Sequence, residues 1–247
     1  MNDQTYKITA GSADRLGAHP LGDGVSFAVF SAHAERIEVC LFSDDGRREL
    51  QRLTLPDRLG DIWNGFVPGL KPGQLYGLRA HGPYEPQLGH RFNPSKLLID
   101  PYARRLSGRL IQSDVLLGYD SHTAQADMSI DHRDSAAFVP KGVVWADLPA
   151  LPRGRRVARD RVVIYEAHPK GLTAAHPGVA PELRGRFKGL ATDAVIEHLT
   201  RLGITTLELL PVQAHADEPF LIRKGLKNYW GYNTLAFFAP EPGYLIE

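Results

Sequence analysis

The chain changes its grammar part-way along, and that change limits what it can fold into. From Val25 to about His81 the runs "VSFAVFS", "RIEVCLFS", "RELQRLTL", "IWNGFV" and "QLYGLRAHG" follow one another, separated by "DDGR", "PDRLGD" and "PGLKPG". Short runs rich in Val, Ile, Phe and Tyr, bounded by Gly, Pro and Asp, have the pattern of antiparallel strands. No helical period interrupts them, so residues from about 20 to 105 are expected to form a small β-sandwich. At Val162 the pattern switches. "VVIYEAH" is a short apolar run of the buried-strand type, and Pro169 ends it because proline has no N–H for a sheet ladder. In "TDAVIEHLTRLG", Val195, Ile196, Leu199 and Leu202 fall on one helical face, with Thr192 placed to cap the start and Gly203 the end. "ITTLELLPV" is then a second strand, so a βαβ unit with a parallel strand pair is expected to begin near Val162.

Between these halves the periodicity is weak. "GPYEPQLGHRFNPSKLLIDPYARRL" is rich in Pro and Gly around an apolar centre, and "PALPRGRRVARDR" at 149–161 is a basic, proline-bearing connector. Its arginines suit either a polyanion site or a solvated linker face. The expected division is a sandwich over 1–105, an irregular connector over 106–160 and an α/β segment over 161–247.

The formal net charge of +1 over 247 residues provides no field of one sign, so neither nucleic acid nor an anionic membrane is expected as a partner. No run approaches the roughly 18 apolar residues of a membrane helix, and "MNDQTYKITAGSADRLGAHPLGDG" lacks the apolar centre of a signal peptide. With Cys40 as the single cysteine there is no internal disulfide, and a reducing compartment is indicated. A soluble cytoplasmic protein is the expectation.

Few residues announce chemistry. Glu166 and His168 alternate onto one face near the C-terminal end of the first α/β strand, where active sites of parallel sheets form. A hydrogen-bonded structural network is the alternative for that pair. There is no HExxH, CxxC, Walker loop or GxSxG elbow, so no metal and no cofactor is expected. Cys40 lies inside a strand pattern, as an inert buried thiol would. Trp63 in "DIWNGFV" suits either the core or the apolar face of a pyranose. The densest aromatic stretch is "NYWGYNTLAFFAP" at 228–240, built around Gly231. It reads either as buried core or as an aromatic floor for a ligand.

Together, "GVSFAVFSAHAERIEVCLF", "GPYEPQLGHRFNPSKLLIDPYA", "VIYEAHPKGLT" and "NYWGYNTLAFFAP" resemble, in order, the N-terminal part of bacterial glycogen debranching enzymes of the isoamylase type, in the α-amylase superfamily. Branching enzymes and pullulanases share the domain order, but "RFNPSKLLIDPYA" with "PELRGRFKGL" and "NYWGYNT" favours the debranching group. Pro169, where the family usually has a β-branched residue, and Ser26, in place of a common asparagine, depart from its pattern.

The resemblance implies an Ig-like, carbohydrate-binding-type sandwich followed by the first part of a (β/α)8 barrel. The implied reaction is retaining hydrolysis of α-1,6 branch linkages in glycogen or limit dextrin. The implied partner is therefore a branched α-glucan. The family's aspartate nucleophile, glutamate acid/base and second aspartate lie on the fourth, fifth and seventh barrel strands. The match places the sugar-stacking tyrosine on Tyr232, with Trp230, Asn233, His168 and Trp63 as further candidate substrate contacts. A full barrel needs about 250 residues, so Val162 to Glu247 is expected to end before any catalytic carboxylate and to be inactive alone.

Overall fold

A computed structural model describes residues 5–152, 154 and 156–246, so Arg153 and Arg155 of the basic connector lie outside the described residues. The strands run in the order β1 (Gly17–Leu21), β2 (Gly24–Phe30), β3 (Arg36–Phe42), β4 (Glu49–Thr54), β5 (Asp57–Leu59), β6 (Ile62–Pro68) and β7 (Leu75–His81). After them come β8 (Tyr84–Glu85), β9 (His90–Arg91), β10 (Leu106–Ser107) and β11 (Lys141–Val143). The remaining elements are β12 (Ile164–Ala167), α1 (Gly171–Ala174), α2 (Phe187–Leu190), α3 (Asp193–Arg201), β13 (Thr206–Leu209), β14 (Gln213–His215), α4 (Pro219–Arg223) and β15 (Thr234–Pro240). Two compact units divide the chain, Met1–Asp147 and Leu148–Glu247.

The first unit is mostly β. A four-stranded sheet runs β1-β2-β6-β5 and a five-stranded sheet runs β10-β11-β7-β3-β4, and their pairings are antiparallel. Val25, Phe27 and Val67 from the first sheet share one core with Ile37, Val39, Leu41, Tyr76 and Leu78 from the second. That shared core makes the unit a sandwich, with alternate residues of each strand pointing inward. The other face of the five-stranded sheet is covered too. Cys40, Phe42 and Leu75 pack there with Leu97, Val139 and Val143. This double burial explains why "VCLF" at the end of β3 is apolar without alternation.

The segment expected as a connector over 106–160 behaves differently in its first part. β11 joins the five-stranded sheet through Gly142↔Tyr76 and Val143↔Leu75. "RFNPSKLLIDPYA" fastens this region to the sandwich. The Asn93 amide donates to the Asp131 carbonyl at 2.7 Å, and the buried Lys96 ammonium donates to the Val115 and Arg133 carbonyls, each at 2.9 Å. The Tyr76 hydroxyl donates to Asp100 at 2.7 Å. Burial raises the pKa of both Tyr76 and Asp100, while the hydrogen bond favours the Asp100 carboxylate. A strand of three residues whose partner lies far back in the chain leaves no local period to detect.

In the second unit β12 and β13 pair in parallel, Ile164↔Thr206 to Ala167↔Leu209, with α3 between them in sequence. This is the expected βαβ order. Thr192 occupies the N-cap position of α3, but its hydroxyl donates to the Gly189 carbonyl at 2.8 Å and makes no cap bond. Gly203, at φ +74°, takes the left-handed turn that ends the helix. The apolar face is only partly used: Val195 is buried, whereas Ile196 and Leu202 are exposed. Val162, Val163 and Ile164 are likewise exposed, contrary to a buried-strand reading. β14 and β15 form a separate antiparallel pair with irregular register. No helix among the described residues is long and apolar enough to cross a membrane.

Candidate functional site

The most built-up feature of the second unit lies at the C-terminal end of β12. The strand stops at Ala167, and His168 follows it into the interior. Glu166 stays exposed, so the two do not share an environment as their alternation suggests. Instead Glu166 is the register partner of Glu208 on β13, which is also exposed.

His168 serves the backbone on both sides of its ring. Nδ1 accepts from the Lys170 and Gly171 N–H groups, each at 3.1 Å. With Nδ1 accepting, Nε2 carries the hydrogen and donates it to the Tyr229 carbonyl at 2.6 Å. The Tyr229 ring lies flat on the imidazole, with centroids 4.0 Å apart and 12° between planes. Trp230 and Tyr244 meet the imidazole edge-on at 6.0 and 6.3 Å.

The aromatic stretch is secured from its other end as well. The Asn228 N–H donates to Asp217 at 2.7 Å, and its side-chain amide donates to Glu218 at 3.0 Å. Its Oδ1 accepts from the Gly231 N–H at 2.9 Å. Gly231 has φ +79°, and a Cβ there would meet His215 Nδ1 at 3.2 Å and Pro211 Cβ at 3.3 Å. Glycine is the residue that takes this turn without strain.

From this base Trp230 and Tyr232 project into solvent, with 57% and 70% of their surface exposed. Asn233 is exposed beside them, and its carbonyl accepts from the Ala216 N–H at 2.9 Å. His168, Trp230, Tyr232 and Asn233 thus belong to one loop and its support. Trp63 belongs to the first unit. There its indole N–H donates to the Ser31 carbonyl at 3.1 Å, and the Arg58 guanidinium lies 5.0 Å from the ring centroid. It packs half-buried against the sandwich core. The anchoring roles of Asn228, Tyr229, Asp217 and Glu218 were not read from the sequence. An asparagine opening an aromatic turn was the one available signal for them.

Cys40 is buried in β3 and its thiol is pushed up to about 12, first by burial and then by the Glu49 charge. Among the described residues no group of three or more His, Cys, Asp or Glu side chains is placed to hold a metal ion.

Residues 15–103 match the model of carbohydrate-binding module 48, the isoamylase N-terminal domain. A glycogen debranching enzyme from Yersinia enterocolitica is 52% identical over 245 residues, covering 96% of this chain and 35% of that protein. One from Yersinia pestis is 51% identical over the same length. Over nearly its whole length the chain is similar to these glycogen debranching enzymes. It spans about a third of the length of these curated relatives, 35% in each case. Among solved structures, the pullulanase from Anoxybacillus sp. LM18-11 complexed with maltotetraose superposes with a TM-score of 0.65 at 19% identity. The alignment covers 97% of this chain and 31% of that one. The catalytic module of the glycogen-degrading pneumococcal virulence factor SpuA gives 0.65 at 20% identity, covering 96% and 33%. At that identity the likeness is one of fold.

Proposed function

We propose that this chain is the glucan-engaging front part of a glycoside hydrolase that cuts α-1,6 branch linkages in glycogen or limit dextrin, working in the cytoplasm. The observation that carries it is the aromatic loop. The Trp230 and Tyr232 rings stand exposed on a backbone held at several points, at the C-terminal end of a parallel strand. Aromatic faces suit the apolar sides of pyranose rings, and a preformed platform loses little entropy on binding. The 52% identity to a glycogen debranching enzyme supports the same reading.

In this proposal residues 1–105 are the carbohydrate-binding-type sandwich, with the segment after them attached to it as far as Asp147. Residues 161–247 open a (β/α)8 barrel whose first two strands are β12 and β13. Tyr232 stacks on the sugar at the cleavage subsite, Trp230 extends the apolar floor and the Asn233 amide meets sugar hydroxyls. Trp63 is a secondary contact on the sandwich. The acid and the nucleophile are not among these residues. Glu166 and Glu208 are solvent-exposed on an open two-stranded sheet, without the rigid, walled setting a retaining pair needs.

Retardation in glycogen-containing gels and fluorescence titration with maltotetraose test the proposal. The wild-type chain is expected to bind. Tyr232→Ala should weaken binding about tenfold, the value of one well-placed aromatic contact, with melting unchanged because the ring is exposed. Equal binding by the variant overturns the subsite assignment.

A further inference from the structure

We propose that His168 is a positioning residue, a two-sided latch that holds the Asn228–Tyr232 loop in its sugar-ready shape and touches no sugar itself. The inference rests on the reading that Trp230 and Tyr232 meet a glucan. Three observations converge on it. The imidazole is buried, so it offers no surface to a ligand. Both ring nitrogens are used by backbone: Nδ1 by the Lys170 and Gly171 N–H groups, and Nε2 by the Tyr229 carbonyl 61 residues away. The Tyr229 ring is stacked on it, and a Cβ at Gly171 would lie 2.5 Å from the Tyr229 hydroxyl. Glycine at 171 is therefore what lets the loop close down on the end of β12.

The two sides of the ring ask for different atoms, and no other side chain supplies both with the same planar spacing. Glutamine places an amide N–H near the position of Nε2 and can donate to the Tyr229 carbonyl. Asparagine places its oxygen near the position of Nδ1, accepts from the two N–H groups and stops short of Tyr229. The pair therefore separates the latch from the local turn.

The experiment is amide hydrogen exchange on the 247-residue chain, read at Gly231, whose N–H is held by Asn228 in the loop, and at Leu202, whose N–H is held by the His198 carbonyl at the end of α3. In His168→Asn the Gly231 amide should exchange at least about tenfold faster, with Leu202 changed less than about twofold. His168→Gln should recover most of the Gly231 protection. Maltotetraose affinity should follow, falling about tenfold in His168→Asn and about twofold or less in His168→Gln. Unchanged Gly231 protection in His168→Asn, or indistinguishable Asn and Gln variants, overturns the latch. So does a parallel rise at Leu202, which would make His168 a support of the whole unit. Absence of maltotetraose binding by the wild type overturns the sugar-binding reading instead, and the exchange data alone then decide the latch.

Discussion

The two units solve the burial problem to different degrees. In the sandwich, β3 has a core on each face: Val39 and Leu41 point into one, Cys40 and Phe42 into the other. Even its charged centre is enclosed. Arg79 is 1% exposed, yet its guanidinium donates to Glu49 at 2.8 Å, to both Asp134 oxygens at 2.9 Å and to the Pro94 carbonyl at 2.8 Å. In the second unit each sheet has two strands among the described residues, and Ile164, Ile196, Leu202, Phe237 and Phe238 are exposed. Much of the support for its aromatic loop comes from His168 and Asn228. The contrast teaches that local order need not come from a large core. A few donors and acceptors contributed by separate segments can hold a loop that carries exposed rings.

The sharpest way to break this comparison is at Arg79. Replacing it with Met keeps the bulk but strips partners from Glu49, Asp134 and the Pro94 carbonyl. Breaking a buried ion pair from one side costs about 3–5 kcal/mol. Partial exposure of Asp134 favours the low end, about 3 kcal/mol, in urea unfolding of the first unit. A loss under about 1 kcal/mol would show that the sandwich does not depend on its buried charge.

A second test, read as a rate rather than an energy, uses the single cysteine. Cys40 is enclosed and held as the thiol. Disulfide-exchange labelling of the native protein should therefore run at least about a thousandfold slower than in urea. Over the same period the β13 amides should exchange faster than those of β3, because β13 has one strand beside it and β3 has two. Rapid labelling of Cys40 alongside slow exchange through Thr206–Leu209 would reverse the ranking of the two units.

The smallest effect is electrostatic. Asp147 is held at about 2, first by its hydrogen bond with Arg15, with a further contribution from Arg104. A depressed carboxylate contributes its stability in full above the ordinary carboxylate range near 4. That contribution is lost as pH falls from about 4 through about 2. The group is half-exposed and screened, so Asp147→Asn should lower the melting temperature by only about one degree at pH 6. The difference should be mostly lost by pH 2. A penalty undiminished at pH 2 would mean that Asp147 acts through something other than its charge.

Much of this was legible in the sequence. Turn-bounded β runs located β2, β3, β4, β6 and β7, because β-branched and aromatic residues between Gly, Pro and Asp turns mark strands in the residues themselves. The helical stripe after Thr192 announced the crossover, and the motif run pointed to the debranching relatives. Other features depended on residues far apart in the chain. β11 is a strand because Tyr76 and Leu75 stand beside it, and Cys40 is sealed by Val139 and Val143, which arrive about a hundred residues later. The roles of Glu166 and His168 diverged for the same reason. Alternation along a strand sets the direction of a side chain, but what waits there is decided by other segments. His168 met the Tyr229 carbonyl and ring, and Glu166 met water and Glu208. Local periodicity and turn chemistry are short-range and can be read from the residues in order; burial, latch contacts and ring exposure are long-range and exist only once the chain has folded back on itself.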